Sequence, residues 1–182
     1  MQVYNLYTGC ILYNTGNEDK LYTDGEVSTL TFLKKENRYW FVATCWEGKV
    51  SFFSAPMVVK GKKFLTVKRV RSESHVRDVV CADTTFKNNI ATGSVENVIC
   101  FWQSYSAVEN KVIRIPREMA NPLNRYVRHL KFMDPSSNEY LMVFMSDGVV
   151  FCLETLTENF ITNEPDKLEH KTASMFWGAG QA

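Results

Sequence analysis

The sequence predicts an all-β fold assembled from repeated four-stranded units, and three observations predict it. Four bulky positions recur at nearly one interval: Tyr4, Phe53, Trp102 and Leu153, spaced 49, 49 and 51 residues. Three acid–turn pairs, Glu47-Gly48, Glu96-Asn97 and Asp147-Gly148, keep the same step in the same frame, as do Val27, Val76 and Val127. Between these marks lie short apolar runs rich in Val, Ile, Phe, Tyr and Thr, free of internal proline and broken by turn residues. Self-similarity at a fixed period marks an array of supersecondary units.

Each unit opens on an apolar stretch, with first strands expected near 27–33, 76–82 and 127–133. A second run follows a polar break, at 39–45, 90–94 and 140–145. Then comes the acid–Gly or acid–Asn pair. Such pairs between apolar runs signal a hairpin, because a type I′ turn needs positive φ at both central residues. Glycine meets that demand at no steric cost and Asn at little. Third runs at 50–53, 99–102 and 150–153, and fourth runs at 64–70, 112–115 and 160–162, complete the units. A repeated unit of four antiparallel strands and about 40–45 residues is a β-propeller blade. The longer period here is assigned to loops at 55–63 and 104–111.

Two blocks carry a family resemblance. Ala43-Thr44-Cys45-Trp46-Glu47-Gly48-Lys49-Val50-Ser51-Phe52-Phe53 and Ala91-Thr92-Gly93-Ser94-Val95-Glu96-Asn97-Val98-Ile99-Cys100-Phe101-Trp102 resemble the core of the WD repeat: a small pair, an acid, a turn residue, an aliphatic strand, then Trp-Asp. At the Trp-Asp position this chain has Tyr4-Asn5, Phe53-Ser54, Trp102-Gln103 and Leu153-Glu154. The family's Gly-His pair falls near Thr23, Ser72 and Leu123, so the buried Asp–His–Ser/Thr–Trp network of well-formed repeats is not expected. The resemblance implies a partial WD-repeat β-propeller: three full four-stranded blades, about 26–70, 75–116 and 126–162, flanked by incomplete ones. Residues 1–14 read as a blade end entered at its third strand. Residues 170–178, centred on Phe176, read as the start of the next blade. Those broken ends predict further blades of a longer polypeptide, or completion by a partner, because unpaired strand edges and apolar faces seek cover.

Composition is that of a globular domain: 45% hydrophobic and 23% charged. A net charge of +1 makes no case for nucleic acid, which calls for a strongly basic surface. No apolar run approaches the roughly 20 residues of a membrane-spanning helix. The five cysteines, Cys10, Cys45, Cys81, Cys100 and Cys152, show no C-x-x-C pairing. They are expected as free, buried thiols in a reducing compartment, with neither zinc nor disulfides. His75, His129 and His170 share no repeat position and are expected at the surface or at strand ends. Ser72, Ser74, His75 and Asp78 lie close in sequence, but a triad is defined by spatial roles. With no phosphate loop, nucleophile elbow or zinc helix, no catalytic residue, metal or cofactor is assigned.

The densest charge is Lys60, Lys62, Lys63, Lys68, Arg69 and Arg71, six cations in twelve residues around an expected outermost strand. Two readings fit: a contact for an acidic partner, or charge placed on an edge strand to prevent unwanted pairing. The loop at 115–124 is the other candidate contact, since loops on rigid scaffolds often carry binding.

Trp46-Glu47-Gly48-Lys49-Val50 also resembles divergent WD-repeat proteins of the ciliary axoneme, with Cys45 where that family commonly has Gly. The resemblance implies a non-enzymatic interaction scaffold, attached to microtubules or their associated complexes. Tubulin or axonemal proteins would be its partners, and the cytoplasm and cilium its location. The competing classes are a general cytosolic adaptor, such as a ubiquitin-ligase or trafficking subunit, and a lipid-headgroup-binding propeller. The lipid-binding subfamily carries an adjacent Phe-Arg-Arg-Gly that this chain lacks.

Overall fold

A computed structural model describes residues 2–4, 6–7, 11–14, 26–35, 38–56, 67–71, 74–87, 89–103, 107–120 and 125–162 of the chain. The predicted opening strand is short: β1 (Gln2–Tyr4) pairs antiparallel with β2 (Ile11–Asn14) in a two-stranded sheet. Three four-stranded antiparallel sheets follow, each a meander in chain order. The first holds β3 (Val27–Lys35), β4 (Arg38–Cys45), β5 (Lys49–Pro56) and β6 (Val67–Arg71). The second holds β7 (Val79–Thr84), β8 (Asn89–Ser94), β9 (Val98–Gln103) and β10 (Val108–Arg114). A four-residue helix, α1 (Arg117–Ala120), interrupts the linker to the third. That sheet holds β11 (Val127–Phe132), β12 (Tyr140–Met145), β13 (Val150–Glu154) and β14 (Asn159–Thr162). The expected strand at 173–177 lies outside the described residues.

Sheets need both faces covered or one face wet, and here they stack on one another. Leu33, Val42, Val50 and Phe52 of the first blade meet Ile90, Val98, Cys100 and Trp102 of the second in one buried cluster. Cys81, Ala91, Ile99 and Phe101 on the opposite face of the second meet Leu130, Leu141, Val143, Phe151 and Leu153 of the third. Strand alternation produces this directly: in β9 the even-numbered residues face back and the odd-numbered ones forward. The repeat positions Trp102 and Leu153 each pack against the preceding blade, and Phe53 is buried on the corresponding face of β5.

Polar links tie the inner strands across the stack. Thr84 Oγ1 donates to the Phe32 carbonyl at 3.1 Å. The buried Asp83 carboxylate accepts from the Phe132 backbone N–H at 2.8 Å and from Lys131 Nζ at 2.9 Å. Gly93 makes the second junction possible. A β carbon there would lie 2.7 Å from Val127 Cγ1 and 2.8 Å from Cys81 Sγ.

Two expectations need correction. Only Glu47 (φ 66°) and Gly48 (φ 72°) are both positive, as type I′ demands. In the second and third hairpins only Asn97 (φ 64°) and Gly148 (φ 89°) are positive, and each N–H bonds the carbonyl three residues back, Ser94 and Met145. That is a type I turn closed by one left-handed residue, the arrangement of a three-residue hairpin loop. The acid can then keep ordinary backbone geometry and spend its carboxylate elsewhere. The valine repeat is likewise not one shared core position. Val127 is fully buried, whereas Val76 is exposed and precedes β7, which begins only at Val79. The Glu96 carboxylate takes the Val76 and Arg77 N–H groups (2.7 and 3.4 Å), so this stretch is a bonded linker outside the ladder.

Candidate functional site

At the end of the stack that carries the acid–turn hairpins, the second blade holds a buried polar network. Trp102 Nε1 donates to Thr92 Oγ1 at 2.8 Å, and His75 Nε2 meets the same hydroxyl at 2.9 Å. His75 Nδ1 lies 4.0 Å from Glu96 Oε1, whose carboxylate holds the linker as described. His75 is 1% exposed, against the expectation of a surface or strand-end position. Three members of the WD-type network that the motif alone did not license, histidine, threonine and tryptophan, are joined here, while the acid stays beyond hydrogen-bond reach of Nδ1; the histidine sits three residues beyond Ser72, where the pattern was centred. Thr92 lies in register with Cys100 on β9, two residues before Trp102. The same positions in the other blades are Glu26, Ala43 and Phe53, then Tyr126, Val143 and Leu153. Only the middle repeat has the residues to wire the network.

Burial lowers His75 from the ordinary 6.5 to about 4, opposed mainly by the negative charges of Glu109 and Glu96. A neutral imidazole bonded to a threonine that is shared with an indole is a packing device. The Ser74 hydroxyl donates to Glu109 instead, and Asp78 Oδ1 accepts from the Glu47 backbone N–H at 3.1 Å. Ser74, His75 and Asp78 therefore face different partners and form no triad, and Ser72 lies outside the described residues.

The acid–turn pairs act as couplings between blades. Glu47 N–H reaches Asp78 in the second blade's linker, and Asn97 Nδ2 donates to the Arg125 carbonyl in the third's at 2.9 Å. Arg125 then pairs with Asp147 and donates to the Met119 carbonyl at the end of α1. Part of the predicted contact loop at 115–124 is thus pinned to the third hairpin. Gly48 is required by closeness as well as by φ, since a β carbon there would come within 2.0 Å of the His75 carbonyl oxygen. Tyr4 lies in β1 opposite Ile11.

Lys68, Arg69 and Arg71 fall in β6, the edge strand of the first sheet, opposite Phe52, Ser51 and Lys49. Lys60, Lys62 and Lys63 lie outside the described residues. Cys45, Cys81, Cys100 and Cys152 are free and buried, and burial pushes the Cys81 thiol up to about 12. Cys10 is outside the described residues. Among the described residues no group of three or more His, Cys, Asp or Glu could hold a metal ion. No described helix is long and apolar enough to cross a membrane.

No family profile and no curated protein matches this chain. Solved structures do. The crystal structure of the RRP9 WD40 repeats superposes with a TM-score of 0.57 at 15% identity, covering 77% of this chain and 38% of that one. The β-propeller domain of Cps50 (Swd1) from Myceliophteria thermophila gives 0.56 at 8% identity, covering 77% and 39%. The chain therefore has the fold of WD-repeat β-propellers and spans about two fifths of the length of these two structures.

Proposed function

We propose that the chain is a non-enzymatic scaffold that binds other proteins within a larger complex, structurally part of a ciliary axoneme or microtubule-associated assembly. The observation that supports the scaffold reading is the architecture itself. Rigid stacked sheets present two ends of exposed loops, and the buried histidine, threonine and tryptophan are consumed in packing. Repeat arrays of this kind work by displaying surface. The axonemal assignment rests on the Trp46-Glu47-Gly48-Lys49-Val50 resemblance. Its partners would be tubulin or axonemal proteins, and further blades of a longer polypeptide would extend the stack. Lys68, Arg69 and Arg71 on the β6 edge, with Lys60, Lys62 and Lys63 in the preceding connection, would meet an acidic partner. The blade boundaries assigned from the sequence belong to the same reading, with the cytoplasm and cilium as location.

The test is fractionation of ciliated cells expressing the tagged protein, followed by detergent and salt extraction. Retention with the axonemal pellet is expected. Recovery with cytosolic complexes and never with axonemes would replace this reading with the general adaptor. Recovery on vesicles containing anionic lipid, with no protein partner, would replace it with the headgroup-binding propeller.

A further inference from the structure

The end of the stack opposite the acid–turn hairpins carries apolar side chains that the packing of the blades does not use. Phe86 lies in the β7–β8 loop and is 76% exposed, and Leu156 lies in the β13–β14 loop and is 73% exposed. Met133, just after β11, is about half exposed. Scattered single apolar residues on a surface mean nothing, but several on one platform mark an interaction site.

Hydrogen bonds make these loops one platform. Phe86 N–H donates to the Pro135 carbonyl at 2.6 Å, joining the β7–β8 loop to the β11–β12 loop. That loop is held in turn by Thr155, whose N–H donates to the Glu139 carbonyl at 2.8 Å and whose hydroxyl donates to the Asn138 carbonyl. Lys111 of β10 closes the belt through the Thr155 carbonyl and through Glu158 at 2.9 Å. A surface so fixed before binding loses little entropy when a partner arrives.

The charges around the apolar groups decide the partner. Asp134, Glu139 and Glu158 are exposed on the same loops. Lys111 of β10 is engaged by Glu158, and Lys87 of the β7–β8 loop acts on the Asp134 carboxylate, so the platform keeps an excess of acid through Glu139. Side-chain and backbone bonds from Ser136 hold Asp134 below the ordinary carboxylate range, so it stays ionised.

We infer that this loop end, centred on Phe86 and Leu156 and flanked by Asp134 and Glu139, docks a protein segment whose apolar side chains are flanked by Lys or Arg. The apolar groups supply the contact energy and the acids select against acidic segments, since like charges at an interface cost affinity. The inference rests on the scaffold reading and names one of its working surfaces.

Three labelled synthetic peptides test it on the full chain by fluorescence anisotropy: a Leu-rich core with Arg ends, the same core with Glu ends, and a Ser-rich core with Arg ends. The first is expected to bind, more weakly as salt rises, and the other two are not. Phe86→Ser with Leu156→Ser should weaken binding by about tenfold or more, the scale of a hot-spot pair. Glu139→Lys should reverse the preference between the charged peptides. Hydrogen exchange on the unaltered protein should show new protection at 86–87, 133–139 and 155–158, a readout that needs no variant. Equal binding of the two charged Leu peptides, no binding of the first, or protection confined to other segments would overturn the inference. Axonemal retention that survives the Phe86→Ser, Leu156→Ser variant would overturn it as well, while leaving the scaffold reading intact.

Discussion

Trp102 shows how much one side chain carries in a stack of thin sheets. It is fully buried, packs on Phe52 of the preceding blade with ring centroids 5.7 Å apart, and donates to Thr92. Trp102→Ala should destabilise by about 3–5 kcal/mol, as large-to-small core changes do. Trp102→Phe keeps the packing and loses one hydrogen bond, worth about 1 kcal/mol. Urea denaturation of the two variants checks the difference, and equal losses would mean that the indole N–H rather than the ring is what matters. His75 gives a pH signature at the same scale. The unfolded chain takes up a proton near 6.5 and the folded one only near 4, so stability is complete above 6.5 and falls as pH drops through that window. The gap between 6.5 and about 4 corresponds to about 3 kcal/mol, lost once the pH has fallen below the folded value. Replacing His75 with Gln should flatten the urea midpoint between those values, and an unchanged slope would mean that carboxylates account for the acid sensitivity.

At the scale of the element, the three hairpin turns look alike in sequence and differ in what they demand. Gly48 and Gly148 both have positive φ, but the space around them differs: a β carbon at Gly48 strikes the His75 carbonyl, and one at Gly148 meets nothing within 4 Å. Gly148→Ala should cost only the left-handed backbone penalty of about 1–2 kcal/mol. Gly48→Ala adds displacement of the linker that holds His75, and should cost clearly more and broaden the thermal transition. Equal melting temperatures for the two variants would mean that the first turn moves away from the linker without penalty. The repeated acids were visible as a period, but their individual work was not. Glu96 binds a linker, Asp147 pairs with Arg125, and the Glu47 backbone rather than its carboxylate reaches the next blade. A period reveals that positions are equivalent in the chain. It cannot reveal which partner each finds across a junction.

For the whole molecule, stability is a sum of blades and junctions, and an uncovered junction has consequences. The forward face of β12 in the third blade carries Tyr140, Met142 and Phe144, none of them buried, where β4 and β8 of the first and second blades place Val42 and Ala91 against a successor. Residues 1–182 expressed alone should therefore associate in a concentration-dependent way in light scattering. Met142→Lys with Phe144→Lys should reduce that association, because charge on an open sheet face opposes stacking. A monodisperse parent would mean that this face is already covered.

The period, the turn residues and the alternation of apolar positions determined three four-stranded units and the succession of their strands along the chain. They could do so because those features are local: a strand's side chains alternate, and a Gly or Asn marks the turn residue that takes positive φ. The residues Asp83, Gly93 and Thr92 carried no such signal. Their importance comes from Phe132, Val127 and His75, each brought to them by stacking or by a linker. The same holds for Phe86 and Leu156, 70 positions apart in sequence and joined on one loop platform by bonds between the second and third blades and within the third. Burial, close approach and surface continuity are properties of pairs of segments, and the tertiary structure alone chooses the pairs.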